Sequence, residues 1–244
     1  MAGWSYGRFE VGQGGLAAFV AELDDTWRGL SITMPLKAEA LALGEAEPLA
    51  ELAGAANTLI LDRGARRLHN TDVGGLTWAV RRRTEERLSR INVVGTGATA
   101  RSAIVSAGQL GAHTVTVLAR SPAKARPLLS LGAGLGLEVV VTDWGAAPPE
   151  ADLVISTVPS DAVASVAEQV AACAPLVLDV SYDPWPTALA VAAADQGLAA
   201  ISGLDLLVGQ ALLQLELMTG RTVTAELLYH AAHRALQERD PAPR

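Results

Sequence analysis

Cysteine is nearly missing from this 244-residue chain, with Cys173 standing alone. A single thiol cannot close an intramolecular disulfide, so the sequence points to a fold that rests on its apolar core in a reducing compartment, by default the cytoplasm. Its setting, Val170-Ala-Ala-Cys173-Ala, reads as small core filler. Charged residues make up only 18% of the chain, whereas hydrophobic residues make up 50%, a balance that excludes an intrinsically disordered protein. The formal net charge is −7, so nonspecific binding to nucleic acid is not expected. The longest uncharged stretch, Ser102 to Ala119, holds Gln109, Gly111 and His113 and changes its periodicity midway, which argues against a membrane span. Met1 to Tyr6 has neither a basic stretch nor a following apolar run of signal-peptide length, so export is not expected. Lysine is the other scarce residue: against 17 arginines there are two lysines, Lys37 and Lys124.

From residue 90 onward, short β-branched runs alternate with longer Ala-rich segments, the pattern of strand-helix-strand units. Strands are expected at Ile91 to Val94, Thr114 to Leu118, Leu137 to Val141, Leu153 to Ser156 and Leu176 to Val180, with helices at 98–109, 121–131, 160–172 and 186–196. Five such strands in series imply a doubly wound parallel sheet. The first 70 residues are less regular. Strands are expected there near Ser5 to Val11, Leu30 to Thr33, Thr58 to Leu61 and Arg67 to His69, around two Ala/Leu-rich helices. Val73 to Leu88 reads as a joining helix, and Leu204 to Met218 and Thr224 to Gln237 as closing helices. The Arg81-Arg82-Arg83 run, beside Glu85 and Glu86, reads as a solvated helix face. The tail from Asp240 to Arg244 reads as frayed.

Val93-Val94-Gly95-Thr96-Gly97-Ala98-Thr99-Ala100-Arg101 follows an expected strand and opens an expected helix. Small residues there let the backbone turn tightly and approach a pyrophosphate at a helix N-terminus, with Ala100 as the accepted variant of the third glycine. The end of the second strand reads Leu118-Ala119-Arg120-Ser121-Pro122-Ala123-Lys124, with no acid to take a ribose 2′-hydroxyl. Arg120 and Lys124 instead suit a 2′-phosphate, which favours NADP over NAD.

Arginine stays protonated at all working pH values, whereas lysine can titrate, so Lys37 draws attention as a proton carrier. It ends Gly29-Leu-Ser-Ile-Thr-Met-Pro-Leu-Lys37, a strand followed by a proline-bearing turn. Asn57, in Gly54-Ala-Ala-Asn57-Thr58, and Asp72, in Asn70-Thr-Asp72-Val-Gly-Gly75, each suit a cap or turn when read alone. Taken together they supply an amide and a carboxylate to accompany the amine. His230 and His233 stand three apart with no third ligand evident, so no metal is expected. Tyr182 on its own suits a loop aromatic, and Asp205 and Gln210 suit helix-end residues.

These motifs, in this order, resemble the shikimate dehydrogenase family from about Tyr6 to Leu236. Asp179-Val-Ser-Tyr182-Asp-Pro184 and Gly203-Leu-Asp-Leu-Leu-Val-Gly-Gln210 add to the match. The resemblance implies an α/β protein of two domains. Residues 1–75 with 205–244 would form a mixed α/β substrate domain, and residues 76–204 a Rossmann-type NADP domain. It implies reversible, NADP-dependent reduction of 3-dehydroshikimate to shikimate in aromatic amino-acid biosynthesis, with quinate-like substrates open. By position, Lys37 and Asp72 become the catalytic pair and Thr33, Asn57, Thr71, Tyr182 and Gln210 the substrate contacts. Gly95, Thr96, Gly97, Ala98, Arg120, Ser121, Lys124 and Gly203 fall on the cofactor site, with hinges near 73 and 203. The implied partner is a small-molecule substrate, with no nucleic acid or membrane, and the protein a monomer or homodimer. Two departures stand out. The family's Ser-Pro-x-x-His-Asn segment, which holds the substrate carboxylate, has no counterpart here, so the first sheet is expected to carry an unpaired inner edge. Ala119 replaces an asparagine common in the family's cofactor loop. The alternative reading is therefore a noncatalytic or impaired NADP-binding protein. A methylenetetrahydrofolate dehydrogenase-like enzyme fits the Lys37, Asn57 and Asp72 motifs less well.

Overall fold

The computed structural model describes residues 3–238, and the C-terminal tail from Asp240 lies outside them. Two sheets organise the chain. The first has four strands in the order β1 (Gly29–Ser31), β3 (Thr58–Asp62), β4 (Ala65–His69) and β2 (Glu45–Ala46). β3 and β4 form an antiparallel hairpin whose two-residue turn, Arg63-Gly64, takes positive φ at both positions, matching the twist of the strands. Leu59 and Leu68 face each other in that hairpin and are fully buried against α1 (Leu16–Ala21) and the 3₁₀ turn Glu39–Leu43. The Glu39 carboxylate accepts from the Gly14 and Leu16 amides (2.8 and 2.9 Å), supplying the N-terminal acceptors that six-residue α1 lacks of its own. α2 (Pro48–Ala53) starts on a proline and ends on Gly54 in the left-handed region.

The second sheet is wholly parallel, in the order β10 (Ala199–Ser202), β9 (Leu176–Asp179), β8 (Leu153–Ser156), β5 (Arg90–Val94), β6 (Thr114–Ala119) and β7 (Glu138–Asp143). Strand order reverses between β5 and β8, which opens a crevice beyond their carboxyl ends, where doubly wound folds bind ligands. α4 (Ala98–Leu110), α5 (Pro122–Gly134), α6 (Ser160–Val163), α7 (Ala167–Ala171) and α8 (Ala188–Asp195) cover the faces. Strands buried on both faces read as continuous apolar runs, and β8 is buried along its whole length. α3 (Thr71–Arg81), α9 (Gly203–Thr219) and α10 (Ala225–Gln237) complete the chain. α3 and α9 cross at glycine contacts: a Cβ on Gly75 would stand 2.7 Å from the Gln210 amide, and one on Gly209 2.9 Å from the Gly75 carbonyl. That close approach sets the start of α3 beside the middle of α9.

The doubly wound class is as expected, with six parallel strands rather than five. Other expectations are corrected. Ser5 to Val11 forms no strand: Phe9 packs on Phe19 and Trp27 instead (centroids 5.4 and 5.5 Å), and β1 is left as the edge of its sheet. The joining helix stops at Arg81 rather than Leu88. The Arg81 guanidinium donates to the Thr84, Glu86 and Leu110 carbonyls, so this residue is a chain-turning anchor rather than part of a solvated face. The expected 160–172 helix breaks at a 3₁₀ turn, Ala164–Val166, where Val166 leaves helical geometry. β2 and β10 were not foreseen. The uncharged Ser102 to Ala119 stretch divides between α4 and β6, and no helix among the described residues is long and apolar enough to cross a membrane. Cys173 packs in the core and donates to the Val170 carbonyl.

Asp179, at the end of β9, is 1% exposed. Its Oδ1 accepts from the Ser181 amide, and its Oδ2 has no partner among the described residues; nor does Ser156 Oγ, its register neighbour on β8. Burial pushes the Asp179 carboxyl above its usual range, moderated by the Ser181 amide that donates to Oδ1. A raised folded-state value means that protonation favours the fold. That contribution is complete below the unfolded carboxyl's value and is lost as pH rises through the folded one. Asp179→Asn, which cannot ionise, is therefore expected to gain in Tm over the parent as pH rises from about 4 to about 8. A Tm difference independent of pH in thermal melts refutes this.

Candidate active site

The turn after β1 carries Lys37 over the first sheet, and its backbone is pinned there by the Ala56 amide donating to the Lys37 carbonyl (2.8 Å). α3 begins opposite. Asn70, not Asp72, is its N-cap, accepting from the Val73 amide (3.2 Å), so Asp72 sits in the first turn with its carboxylate free for other partners. Those partners are Lys37, whose Nζ stands 2.6 Å from Asp72 Oδ2, and Asn57, whose Nδ2 donates to Asp72 Oδ1 (2.8 Å). The Lys37 and Asp72 side chains are only 14% and 7% exposed, so the ion pair forms where water screens it weakly.

Asn57 is the hub. Its Nδ2 also donates to Thr71 Oγ1 (2.9 Å), and its Oδ1 accepts from the Thr71 amide (2.8 Å) and the Thr58 hydroxyl (3.0 Å). Gln210 Oε1, from α9, stands 3.5 Å from Asn57 Nδ2. A further residue, missed in the sequence reading, braces this hub. Gln214 Nε2 donates to the Asn57 carbonyl (3.2 Å) and Thr58 Oγ1 (2.9 Å), while Ser31 Oγ donates to Gln214 Oε1 (2.9 Å). The available signal was its position one turn after Gln210 on the same helix face.

A cleft of about 2670 Å³ opens over this cluster, lined among others by Thr33, Lys37, Asn57, Asp72, Tyr182 and Gln210. Thr33 stands exposed at its lip, and Gly203 joins the lining where α9 begins. Thr71, 3% exposed, is turned toward Asn57 and is not among the lining residues. The lining also includes residues 3–9 and Gly29, Leu30 and Ser31 of the edge strand β1.

The glycine loop precedes α4, whose Thr99 lines the same cleft. Gly95 has φ +113°, a left-handed conformation open to glycine, and a Cβ there would meet Thr157 Oγ1 at 2.6 Å. Gly97 is the N-cap of α4, and a Cβ on it would meet nothing within 4 Å. No side chain caps α4, so its first-turn amides at Ala98 and Thr99 have no capping acceptor from a side chain. An open, positively poised helix start at the sheet's crevice fits a pyrophosphate. Thr96 lies inside this loop, and Ser121, the N-cap of α5, leaves that helix without a side-chain cap as well. Arg120 is exposed at the end of β6, its guanidinium over the Trp144 ring (5.6 Å), and Lys124 lies in the first turn of α5.

Two contacts, also missed from sequence, tie the lysine cluster to this loop. Asn70 Nδ2 donates to the Ala55 carbonyl (2.8 Å) and to Ser102 Oγ on α4 (3.0 Å). Arg101 Nε donates to the Ala53 carbonyl at the C-terminal end of α2. Among the described residues no three His, Cys, Asp or Glu side chains converge as a metal site, and His233 stacks on Tyr229.

Residues 2–59 match the family profile described as shikimate dehydrogenase substrate binding domain, and residues 90–182 match one described as NADP oxidoreductase coenzyme F420-dependent. A shikimate dehydrogenase (NADP(+)) from Sphingopyxis alaskensis is 32% identical over 234 residues, covering 88% of this chain and 80% of that protein. This chain belongs to the shikimate dehydrogenase family. Among solved structures of that family, a shikimate 5-dehydrogenase from Mycobacterium fortuitum is 38% identical, with a TM-score of 0.84 over 94% of this chain and 86% of that one. The shikimate 5-dehydrogenase from Thermus thermophilus, solved with NADP(H) and shikimate, is 26% identical, with a TM-score of 0.77 over 93% and 86% of the two chains.

Asn57→Ala leaves the Thr71 amide and Asp72 Oδ1 without a buried partner. It is expected to cost about 1–3 kcal/mol of stability in urea unfolding. An unchanged midpoint removes Asn57 as the organiser of the cluster.

Proposed function

We propose that the protein catalyses the reversible, NADP-dependent reduction of 3-dehydroshikimate to shikimate, a step of aromatic amino-acid biosynthesis. The observation that carries this reading is the Lys37–Asp72 pair, 2.6 Å apart in a cleft that Thr99 of α4 also lines. Membership of the shikimate dehydrogenase family supports the substrate, and the NADP(+) enzymes among its relatives support the cofactor.

When bound, NADPH supplies the hydride that reaches the substrate's ketone carbon. Negative charge then grows on the ketone oxygen. The Lys37 ammonium meets that oxygen and delivers its proton, and in the oxidising direction the neutral amine takes the proton back. Asp72 Oδ2 holds the ammonium in place while Oδ1, tied to Asn57, fixes the carboxylate plane. Asn57 and Gln210 hold substrate hydroxyls across the cleft, and Tyr182 and Thr33 close on the substrate from either side. Thr71 supports this contact set through Asn57.

Residues 1–75 with 205–244 act as the substrate domain, residues 76–204 as the cofactor domain, and closure near 73 and 203 keeps water from the hydride path. The amides at Gly97 and Ala98 take the pyrophosphate, with Gly95, Thr96 and Gly203 giving the backbone room. Arg120, Ser121 and Lys124 take the 2′-phosphate. One buried, uncrosslinked cysteine suits a cytoplasmic protein. All of these groups come from one chain, so a monomer suffices to carry them.

The deciding measurement is NADP-dependent oxidation of shikimate, followed at the nicotinamide absorbance. Lys37→Ala is expected to lower turnover by about 10²- to 10⁴-fold while NADPH binding stays near the parent's. Unchanged turnover removes Lys37 from the mechanism. No turnover by the parent protein, with NADPH still bound, favours the noncatalytic reading. Arg120→Ala is expected to weaken NADPH by about 10- to 100-fold and NADH far less. Equal losses show that Arg120 does not read the 2′-phosphate.

A further inference from the structure

Sheet register, not chance, places Arg120 beside Trp144. β6 and β7 run parallel with Ala119 opposite Asp143, so the next residue on each strand end, Arg120 and Trp144, emerges at the same level. The Trp144 indole is half-buried, packed on one side against the core cluster that includes Leu118 and Val154. Arg120 lies over its ring, with the guanidinium carbon 5.6 Å from the ring centroid. An arginine side chain on an open surface samples many rotamers, and ordering it on a ligand costs side-chain entropy. Stacking on an anchored aromatic face removes part of that cost beforehand. A guanidinium that lies flat on such a face keeps its in-plane N–H groups outward, the donors that meet phosphate oxygens two at a time.

We propose that Trp144 is a positioning residue for cofactor choice: it holds the Arg120 guanidinium in the orientation that binds the adenosine 2′-phosphate. The inference rests on the assignment of Arg120 to that phosphate, and deepens it by naming the group that makes the arginine selective. Trp144 acts through Arg120 and not on the hydride transfer.

The test is calorimetric titration of the full chain with adenosine 2′,5′-bisphosphate and, separately, with AMP, which lacks the 2′-phosphate. Trp144→Leu and Trp144→Met keep apolar bulk but remove the π face, and Trp144→Phe keeps an aromatic ring. The expected result is a loss of about two- to fivefold in bisphosphate affinity for the Leu and Met variants, less for the Phe variant, and little change for AMP. In an Arg120→Ala background the same Trp144 substitutions are expected to cost nothing further. If Arg120→Ala lowers the bisphosphate-to-AMP preference but Trp144→Leu and Trp144→Met do not, Trp144 has no positioning role and the cofactor assignment stands. The positioning role also falls if the Trp144 losses are equal for both nucleotides, or persist without Arg120, because the indole then serves packing alone. If Arg120→Ala leaves the preference unchanged, the assignment of Arg120 fails and this inference fails with it.

Discussion

A buried amide holds the chemistry of this protein together. Asn57 bonds the backbone amide and hydroxyl of Thr71 and the carboxylate of Asp72, and so fixes the first turn of α3 against the start of β3. An ammonium and a carboxylate that are both mostly buried lose hydration, and only close contact with further hydrogen bonds offsets that loss. The Lys37–Asp72 contact meets this condition because Asn57 occupies the carboxylate oxygen that Lys37 does not. Gln214 in turn braces Asn57 from α9, a helix more than 150 residues away in the chain.

The position of the pair relative to α4 and its glycine loop follows from two packing constraints. Glycines at 75 and 209 let α3 and α9 approach until backbone meets backbone, which brings Gln210 to the site. Asn70 and Arg101 then connect the Ala53–Asn57 turn to α4, the helix whose N-terminus faces the crevice. The Lys37–Asp72 pair and the start of α4 are thereby tied together by the same few hydrogen bonds. A polar network of this kind is worth more when complete than its separate bonds suggest, because each buried member left unpaired costs free energy.

Much of the fold is legible from periodicity and punctuation. β5, β6 and β8 are apolar, β-branched runs buried along nearly their whole length, and they stand out from the Ala-rich helices between them. β10 escapes such reading because Ala199-Ala200-Ile201-Ser202 has little strand preference of its own; parallel pairing with β9 makes it a strand. Ser5 to Val11 errs the other way. Its Tyr6, Phe9 and Val11 have strand preference, but a strand needs a partner edge, and Phe9 packs on aromatic rings instead. The joining helix ends early where Arg81 binds the Thr84 and Glu86 carbonyls just after the turn and the Leu110 carbonyl 29 residues on; the last is a tertiary contact that no local window contains.

Taken alone, the sequence determined the doubly wound class, the glycine loop and the identities of Lys37, Asn57 and Asp72, since these depend on residue type and near-neighbour spacing. It also supplied the basic group at the end of β6 in place of an acid. Only the tertiary structure decided which atoms meet. It made Asp72 a partner of lysine and left the capping of α3 to Asn70. It placed Gln214 behind the site and set Arg120 on Trp144. The reason is that hydrogen bonds and stacking act over a few ångströms between residues tens to hundreds of positions apart, and only closure of the sheets and helices brings them within that range.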